Sequence, residues 1–513
     1  MRVGILLNEM RPLSKSKLIA YRQCPKRLWL EVHRRDLRED SAETQARFQT
    51  GYQVGDIARR IYDPEGKGAI IDINTDDYEA AFARTAKLLA ESRQPVFEAG
   101  FKADGALAFA DAILPDSENG QPGWRMVEVK SSTRIRDYHH DDIAVQAFVA
   151  QAAGVPLISV ALAHIDSSWV YPGGEDYRGL LKENDLTAET SARTEEVKGW
   201  IADAQRIVDQ PDAPEMAVGA HCHQPFDCGF CNYCHKGIPQ PVFPINWLPN
   251  LRTAKRERLA GQGVNDLRDL PDHMLSQIQS RVKEHTLAGT VFFDAAGAAA
   301  DLAPHGFPAY FLDFESIQFA VPIWKGTRPY QQITFQFSLH TLAESGQLSH
   351  TAFLDLSGND PSETFAKALI AACGESGPVF VYFAGFERTR IRDLAGRFPD
   401  LAGPLLAINA RVVDLLRIAR KRYYHPSQHG TWSIKAVLPA AVPELSYDQL
   451  DGVQHGGAAM DAFIEAIQIS TTAERKSEIV RQLLAYCKLD TLAMVRLWEF
   501  FSGRNESALQ DAN

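Results

Sequence analysis

Two kinds of residue in this chain could do chemistry: gathered thiols and paired acids. Cys222, Cys228 and Cys234 follow one another at even spacing in HCHQPFDCGFCNYCH, and Cys24 stands far upstream in LIAYRQCPKRLWLEV. Thiols gathered from distant parts of a chain point to a metal centre rather than to disulfides in a reducing compartment. Such a centre pins the beginning of a domain to its end, and closing so long a loop is worth several kcal/mol. Between the cysteines, Asp111 ends a run in FADAIL, and Glu128 and Lys130 flank Val129 in WRMVEVK. Residues two apart on a strand share a face, so Glu128 and Lys130 aim at one place. Two carboxylates hold a hard cation such as Mg²⁺ or Mn²⁺. The cation polarises a phosphate and acidifies a bound water, while the lysine orients that water or neutralises developing charge.

A second set of acids lies downstream. YFLDFES puts Asp313 and Glu315 on one face of an apolar strand, and LLAYCKLDTLAMV puts Tyr486 and Asp490 one helical turn apart. Cys231 leaves the thiol count open, because Cys228, Cys231 and Cys234 could also supply ligands. Cys373 and Cys487 stand apart from the cluster and read as ordinary buried thiols. His425 and His429 in YYHPSQHGTWSIK read as surface loop residues, not ligands.

The elements that must position these groups read as an α/β chain. Helical spacing runs from SKSKLIAYRQCPKRLWLEV towards Tyr62. Strands follow at GALAFADAIL and WRMVEVK, separated by the turn-rich PDSENGQPG. A helix at DDIAVQAFVAQAAG, a buried strand at PLISVALAHI and a helix over 194–208 complete a first unit, 1–236, which the cysteines close. Residues 237–300 read as a proline-rich linker and a polar helical spacer. The third segment, 301–513, begins with three strands, then alternates helices and strands.

The length of 513 residues predicts more than one domain. No apolar run approaches the roughly 20 residues of a membrane span, and the start reads too briefly apolar for a signal peptide. The expectation is a cytoplasmic protein with no membrane partner. A net charge of −11 does not advertise nucleic-acid binding, but local basic strips can serve it. One strip holds Lys15, Lys17, Arg22, Lys26 and Arg27. Another, RIARKRYYHP, interleaves Arg417, Arg420, Lys421 and Arg422 with Tyr423 and Tyr424, suiting phosphate contact and base stacking. A solvated helix face is the plainer reading of either strip.

The Asp111, Glu128-Val-Lys130 pattern resembles the RecB-like group of PD-(D/E)xK nucleases, which have a restriction-endonuclease-like fold. The resemblance implies a role for Gln146 on the following helix, and for Glu98 in PVFEAGF as a further metal ligand. The cysteines resemble the iron–sulfur subset of that group, in which one cysteine precedes the core and three follow it. This implies a [4Fe–4S] cluster on Cys24, Cys222, Cys228 and Cys234 with Cys231 spare. Zinc is the alternative, although the five-residue gaps fit zinc ribbons poorly. The C-terminal pattern resembles the DnaQ-like DEDD exonucleases, which are RNase H-like. Asp313, Glu315 and Asp490 would then bind two metals, and Tyr486 would orient the attacking water. Glu387 in VYFAGFERTRI stands where that family has Asp, and Phe383 where Asn is common; Asp414 is the other acid on offer. The implied function is a Mg²⁺- or Mn²⁺-dependent nuclease acting on DNA in repair, recombination or defence. RNA processing through the C-terminal domain, or a non-catalytic nucleic-acid scaffold, are the competing readings.

Overall fold

The computed structural model describes residues 11–72, 77–447, 450–504 and 510–511. The chain divides into two compact units of mixed α/β structure. The first runs to Ile238 and includes Phe319–Tyr330; the second holds Pro239–Gln318 and the chain from Gln331 onward.

The first unit opens with β1 (Leu13–Ser14), α1 (Lys15–Gln23) and α2 (Pro25–His33). Helical periodicity runs straight through this stretch, but Cys24 is extended, with φ −164°, and Pro25 takes the first position of α2. Proline disfavours the helical conformation in the residue before it and loses nothing at a helix start. Cys24 therefore sits at a break between two helices. Next come α3 (Ala42–Tyr62), β2 (Ala69–Ile70), α4 (Tyr78–Glu91), β3 (Val96–Ala103), β4 (Ala106–Glu118) and β5 (Gln121–Lys130). After them lie α5 (Asp137–Ala152), β6 (Leu157–Ile165), β7 (Leu181–Asp185), α6 (Thr187–Ala192), α7 (Thr194–Val208) and α8 (Cys231–His235). The sheet order is β2-β3-β4-β5-β6-β7, with β1 also pairing β4. Strands β3, β4 and β5 form an antiparallel meander, and β6 lies parallel to β5 after the α5 crossover.

Two tight turns fix the register of this meander. Asp104-Gly105 and Asn119-Gly120 have positive φ at both residues (49° and 77°; 51° and 77°), as a two-residue hairpin turn of type I′ requires. They set Ala103 against Ala106 and Glu118 against Gln121. Counting back along each ladder brings Glu98, Asp111 and Glu128 level with one another on three adjacent strands. Helix α5 is buried along much of its length and packs Ile143, Val145 and Phe148 into the main apolar cluster of the unit.

The second unit begins with α9 (Thr253–Gly261), α10 (Gln277–Ala288), β8 (Phe292–Phe293) and α11 (Ala295–Leu302). Its sheet strands and helices follow: β9 (Ala309–Ile317), β10 (Ile333–Leu342), β11 (Gln347–Leu354), α12 (Ser362–Ala372), β12 (Val379–Val381), α13 (Gly385–Arg397), α14 (Ala402–Ala410) and β13 (Val412–Asp414). The remainder is α15 (Leu415–Arg422), β14 (Tyr423–Tyr424), α16 (Ile434–Ala441), α17 (Gly456–Ala466), α18 (Ala473–Ser502) and β15 (Gln510–Asp511). The sheet order is β13-β12-β9-β10-β11-β15. Strands β9, β10 and β11 are antiparallel; β12 and β13 run parallel to β9.

Two sequence expectations need redrawing. The stretch 239–300 is part of the second unit, because Leu248, Leu259, Leu267 and Val282 share an apolar cluster with Phe311 and Trp498. Residues 319–330 belong to the first unit: Tyr171 N–H donates to the Thr327 carbonyl at 2.9 Å and the Tyr330 hydroxyl donates to the Ser131 carbonyl at 2.5 Å.

Candidate functional site

In the first unit, Asp111 and Glu128 stand where the β4–β5 ladder stops. Beyond Ala112 and Val127 the strands no longer pair, and Asp111 Oδ2 accepts the Val129 N–H at 2.7 Å instead. Glu128 is 1% exposed. Its Oε1 accepts from Lys130 Nζ at 2.7 Å and from Lys15 Nζ at 3.0 Å, while its Oε2 is buried with no hydrogen-bond partner. Asp142, one helical turn before Gln146 on α5, binds the same lysines: Lys130 directly and Lys15 at 3.4 Å. Gln146 is buried with neither amide atom in a hydrogen bond of standard geometry, yet it stands close enough to favour the charged form of Glu128.

The electrostatics follow from this arrangement. Burial works against the Glu128 charge, but Lys130 and Lys15 outweigh it and hold Glu128 below the usual carboxylate range. Asp111 goes the other way, pushed well above that range by burial and then by Glu128. Burial opposes the charge on Lys130, yet Asp142 and Glu128 raise it. Sequence reasoning named Asp111, Glu128, Lys130 and Gln146, and they converge. It missed Asp142 and treated Lys15 only as part of a basic strip. Glu98 holds a left-handed backbone, φ 55°, rare for a side-chain-bearing residue. It pairs with Arg59 at 3.7 Å, and burial raises its carboxyl above the ordinary value.

The five clustered cysteines line one cavity. Helix α1 leads from Lys15 in the acid site to Cys24 beside this cavity. Gln23 fastens that end by donating to the carbonyls of His221 and Phe226, both at 2.7 Å. Cys24 and Cys222 are each 9% exposed. Burial pushes the Cys228 and Cys234 thiols up, and the neighbouring Cys24 and Cys222 add to this. Cys231 differs: its thiol donates to the Cys222 carbonyl at 3.6 Å, and burial pushes it up to about 11. A cavity lined by five cysteines fits a metal centre, whose positive charge would draw the Cys228 and Cys234 thiols into the thiolate form that ligates metals. Among the described residues, no three cysteine sulfurs lie within 4.8 Å of one another.

In the second unit, β9 carries Asp313 and Glu315 while α18 carries Tyr486 and Asp490 on one face. Glu315 is 8% exposed, Asp490 7% and Glu387 2%, and among the described residues none of the four acids forms an ion pair. The Tyr447 hydroxyl donates to Asp490 Oδ1 at 2.6 Å. Lys435 lies over the rings of Tyr447 and Tyr486, 5.2 and 5.1 Å from their centroids. Burial, then repulsion from Asp490 and Glu315, pushes Asp313 well above the usual range. Burial, then Asp490, takes Glu315 to about 8. Burial takes Glu387 to about 8 and Asp490 to about 6. Glu387 Oε2 is buried without a hydrogen-bond partner. Asp414, the competing middle acid, instead caps α15, accepting the N–H groups of Leu416 and Phe383, both at 3.1 Å. Phe383 is left-handed, φ 79°, and 61% exposed. Lys435 and Tyr447 were not found from sequence.

The basic strips are largely spent on structure. Arg22 pairs with Asp141 at 3.0 Å, and Arg422 pairs with Asp301 at 2.8 Å. Tyr423 and Tyr424 are 2% and 0% exposed, so they offer no stacking surface; their strand pairs with Phe292–Phe293. His429 stacks on Trp247 at 4.0 Å, and His425 caps a short turn. No helix among the described residues is long and apolar enough to cross a membrane. Residues 310–433 match a domain of unknown function, DUF2779, a stretch that holds Asp313, Glu315, Glu387 and Asp414 but stops before Tyr486 and Asp490. No curated protein matches the chain.

Proposed function

We propose that the chain is a Mg²⁺- or Mn²⁺-dependent nuclease acting on DNA, with phosphodiester hydrolysis at the Asp111–Glu128–Lys130 site. The observation that carries this is the convergence of Asp111, Glu128, Lys130 and Gln146 at the diverging ends of β4 and β5, with a buried lone carboxylate oxygen, Glu128 Oε2. A bound cation would polarise the phosphate and acidify a water. Asp111 and Glu128 would hold it, Lys130 and Lys15 keep Glu128 charged with Gln146 adding to this, and Lys130 would neutralise charge developing on the phosphate. The meander followed by a parallel fourth strand supports a restriction-endonuclease-like reading of the first unit. The sheet order third-second-first-fourth-fifth of β9 to β13 supports an RNase H-like reading of the second, with exonuclease chemistry at Asp313, Glu315, Glu387 and Asp490. The gathering of Cys24 with Cys222, Cys228 and Cys234 at one cavity supports a metal centre there, read by the resemblance as a [4Fe–4S] cluster with zinc as the alternative. Seven free thiols suit a reducing cytosol.

The test is cleavage of labelled linear and circular DNA and RNA by the purified full chain in each divalent metal. DNA cleavage with Mg²⁺ or Mn²⁺, abolished by chelation, is the expected result. Tight binding without cleavage in any metal would overturn the reading and leave a nucleic-acid scaffold.

A further inference from the structure

Cys487, read from sequence as an ordinary buried thiol, has unusual company. It is fully buried, and its Sγ lies 3.7 Å from Asp313 Oδ2. Helix α18 puts it there, because Cys487 lies three residues before Asp490 and shares its buried face. Asp313, Glu315 and Cys487 each offer a ligand atom, all within 4.8 Å of one another, the one such trio among the described residues. Cys373 provides the contrast: it is equally buried, but in an apolar cluster with Phe365, Leu369 and Val379.

A second observation beside this trio points the same way. Glu387 is 2% exposed, its Oε2 has no hydrogen-bond partner among the described residues, and its charge is felt at Asp313. A buried carboxylate oxygen without a donor is costly unless something positive meets it.

We propose that Cys487 is a ligand of a metal site with Asp313 and Glu315, and that this site prefers zinc-, cobalt- or iron(II)-class cations over Mg²⁺. Thiolate sulfur favours softer cations, whereas an all-oxygen set suits Mg²⁺. Binding forms one metal–sulfur bond and releases the thiol proton to water, with no change of oxidation state. This rests on reading the acids of the second unit as a metal site; it does not rest on nuclease activity.

The experiment is an anaerobic Co²⁺ titration of the full chain without nucleic acid, following the near-ultraviolet sulfur-to-cobalt band. The clustered cysteines contribute to that band, so the readout is the difference between wild type and variants. Cys487→Ser and Asp313→Asn should lose the same share of the band, with Cys373→Ser unchanged. Co²⁺ affinity at this site should fall about tenfold or more in Cys487→Ser, while Mg²⁺ affinity holds. Asp313→Asn retains Cys487 and gives the answer if the serine variant misfolds. Identical Co²⁺ spectra in wild type and both variants would overturn the proposal. The band together with no cleavage of any substrate would uphold it and remove only the nuclease reading.

Discussion

The two acid sites hold similar sets of carboxylates in opposite electrostatic settings. In the first unit, Lys15 and Lys130 are built in among Glu128, Asp142 and Asp111, so the acid that must be charged is already charged. In the second, four acids gather with no ion pair among the described residues, and the lysine facing Glu315 and Asp490 also lies against two tyrosine rings. One site folds as a nearly neutral assembly. The other is incomplete until protons or a cation arrive. A buried acid paired with lysine is a scaffold; a buried acid without one is a demand for a ligand.

Removing a lysine should give the largest effect. Lys130→Met leaves Glu128 and Asp142 short of a buried partner, and we expect a loss of about 3–5 kcal/mol in chemical denaturation. The exposed Lys435, changed the same way, should cost about 0.5 kcal/mol or less. Equal losses would break the comparison. Removing an acid should separate the sites in the other direction. Glu387→Gln should stabilise the metal-free protein by about 1 kcal/mol or more near neutral pH, because burial obliges Glu387 to take up a proton on folding that the unfolded chain does not hold, whereas Glu128→Gln should destabilise it.

The pH dependence of Glu128 should also oppose that of the second site's acids. Glu315 and Glu387 have folded values raised to about 8, and Asp490 to about 6. Their contribution is fully present below the unfolded carboxylate range, near 4, and is lost as pH rises through those values. In chelator, melting of the second unit should therefore fall in temperature between about pH 4.5 and about pH 8, and a bound divalent cation should flatten the slope. Glu128, held low by its lysines, contributes above the unfolded value and loses that contribution only as pH falls. A second unit indifferent to alkali without metal would mean its acids are compensated after all. Away from the metal-binding acids, Asp414→Ala should cost only about 1 kcal/mol for a lost helix cap, with metal binding untouched.

Much of this was legible in the sequence. The helix expected over 194–208 forms as Thr194–Val208, and strand period two aimed Glu128 and Lys130 together. The level row of Glu98, Asp111 and Glu128 was also encoded, because Asp-Gly and Asn-Gly turns fix hairpin register. Asp142 could have been found as the residue one turn before Gln146. Lys15, Lys435 and Tyr447 could not, because nothing local marks a side chain that reaches its partners from a distant element. Tyr423 and Tyr424 misled because both residues of a two-residue strand are buried, which no periodicity announces. The polar look of 237–300 hid a few leucines and a valine that suffice to join a core.

The central claim is that the first site cleaves DNA and the second is a separate, metal-demanding site. Single-turnover cleavage of closed circular and end-labelled linear DNA by wild type, Glu128→Gln and Asp313→Asn full chains tests it most directly. Glu128→Gln should lose circle cleavage by about a hundredfold or more, and Asp313→Asn should retain it while losing stepwise shortening of linear ends. Undiminished circle cleavage by Glu128→Gln would contradict the account.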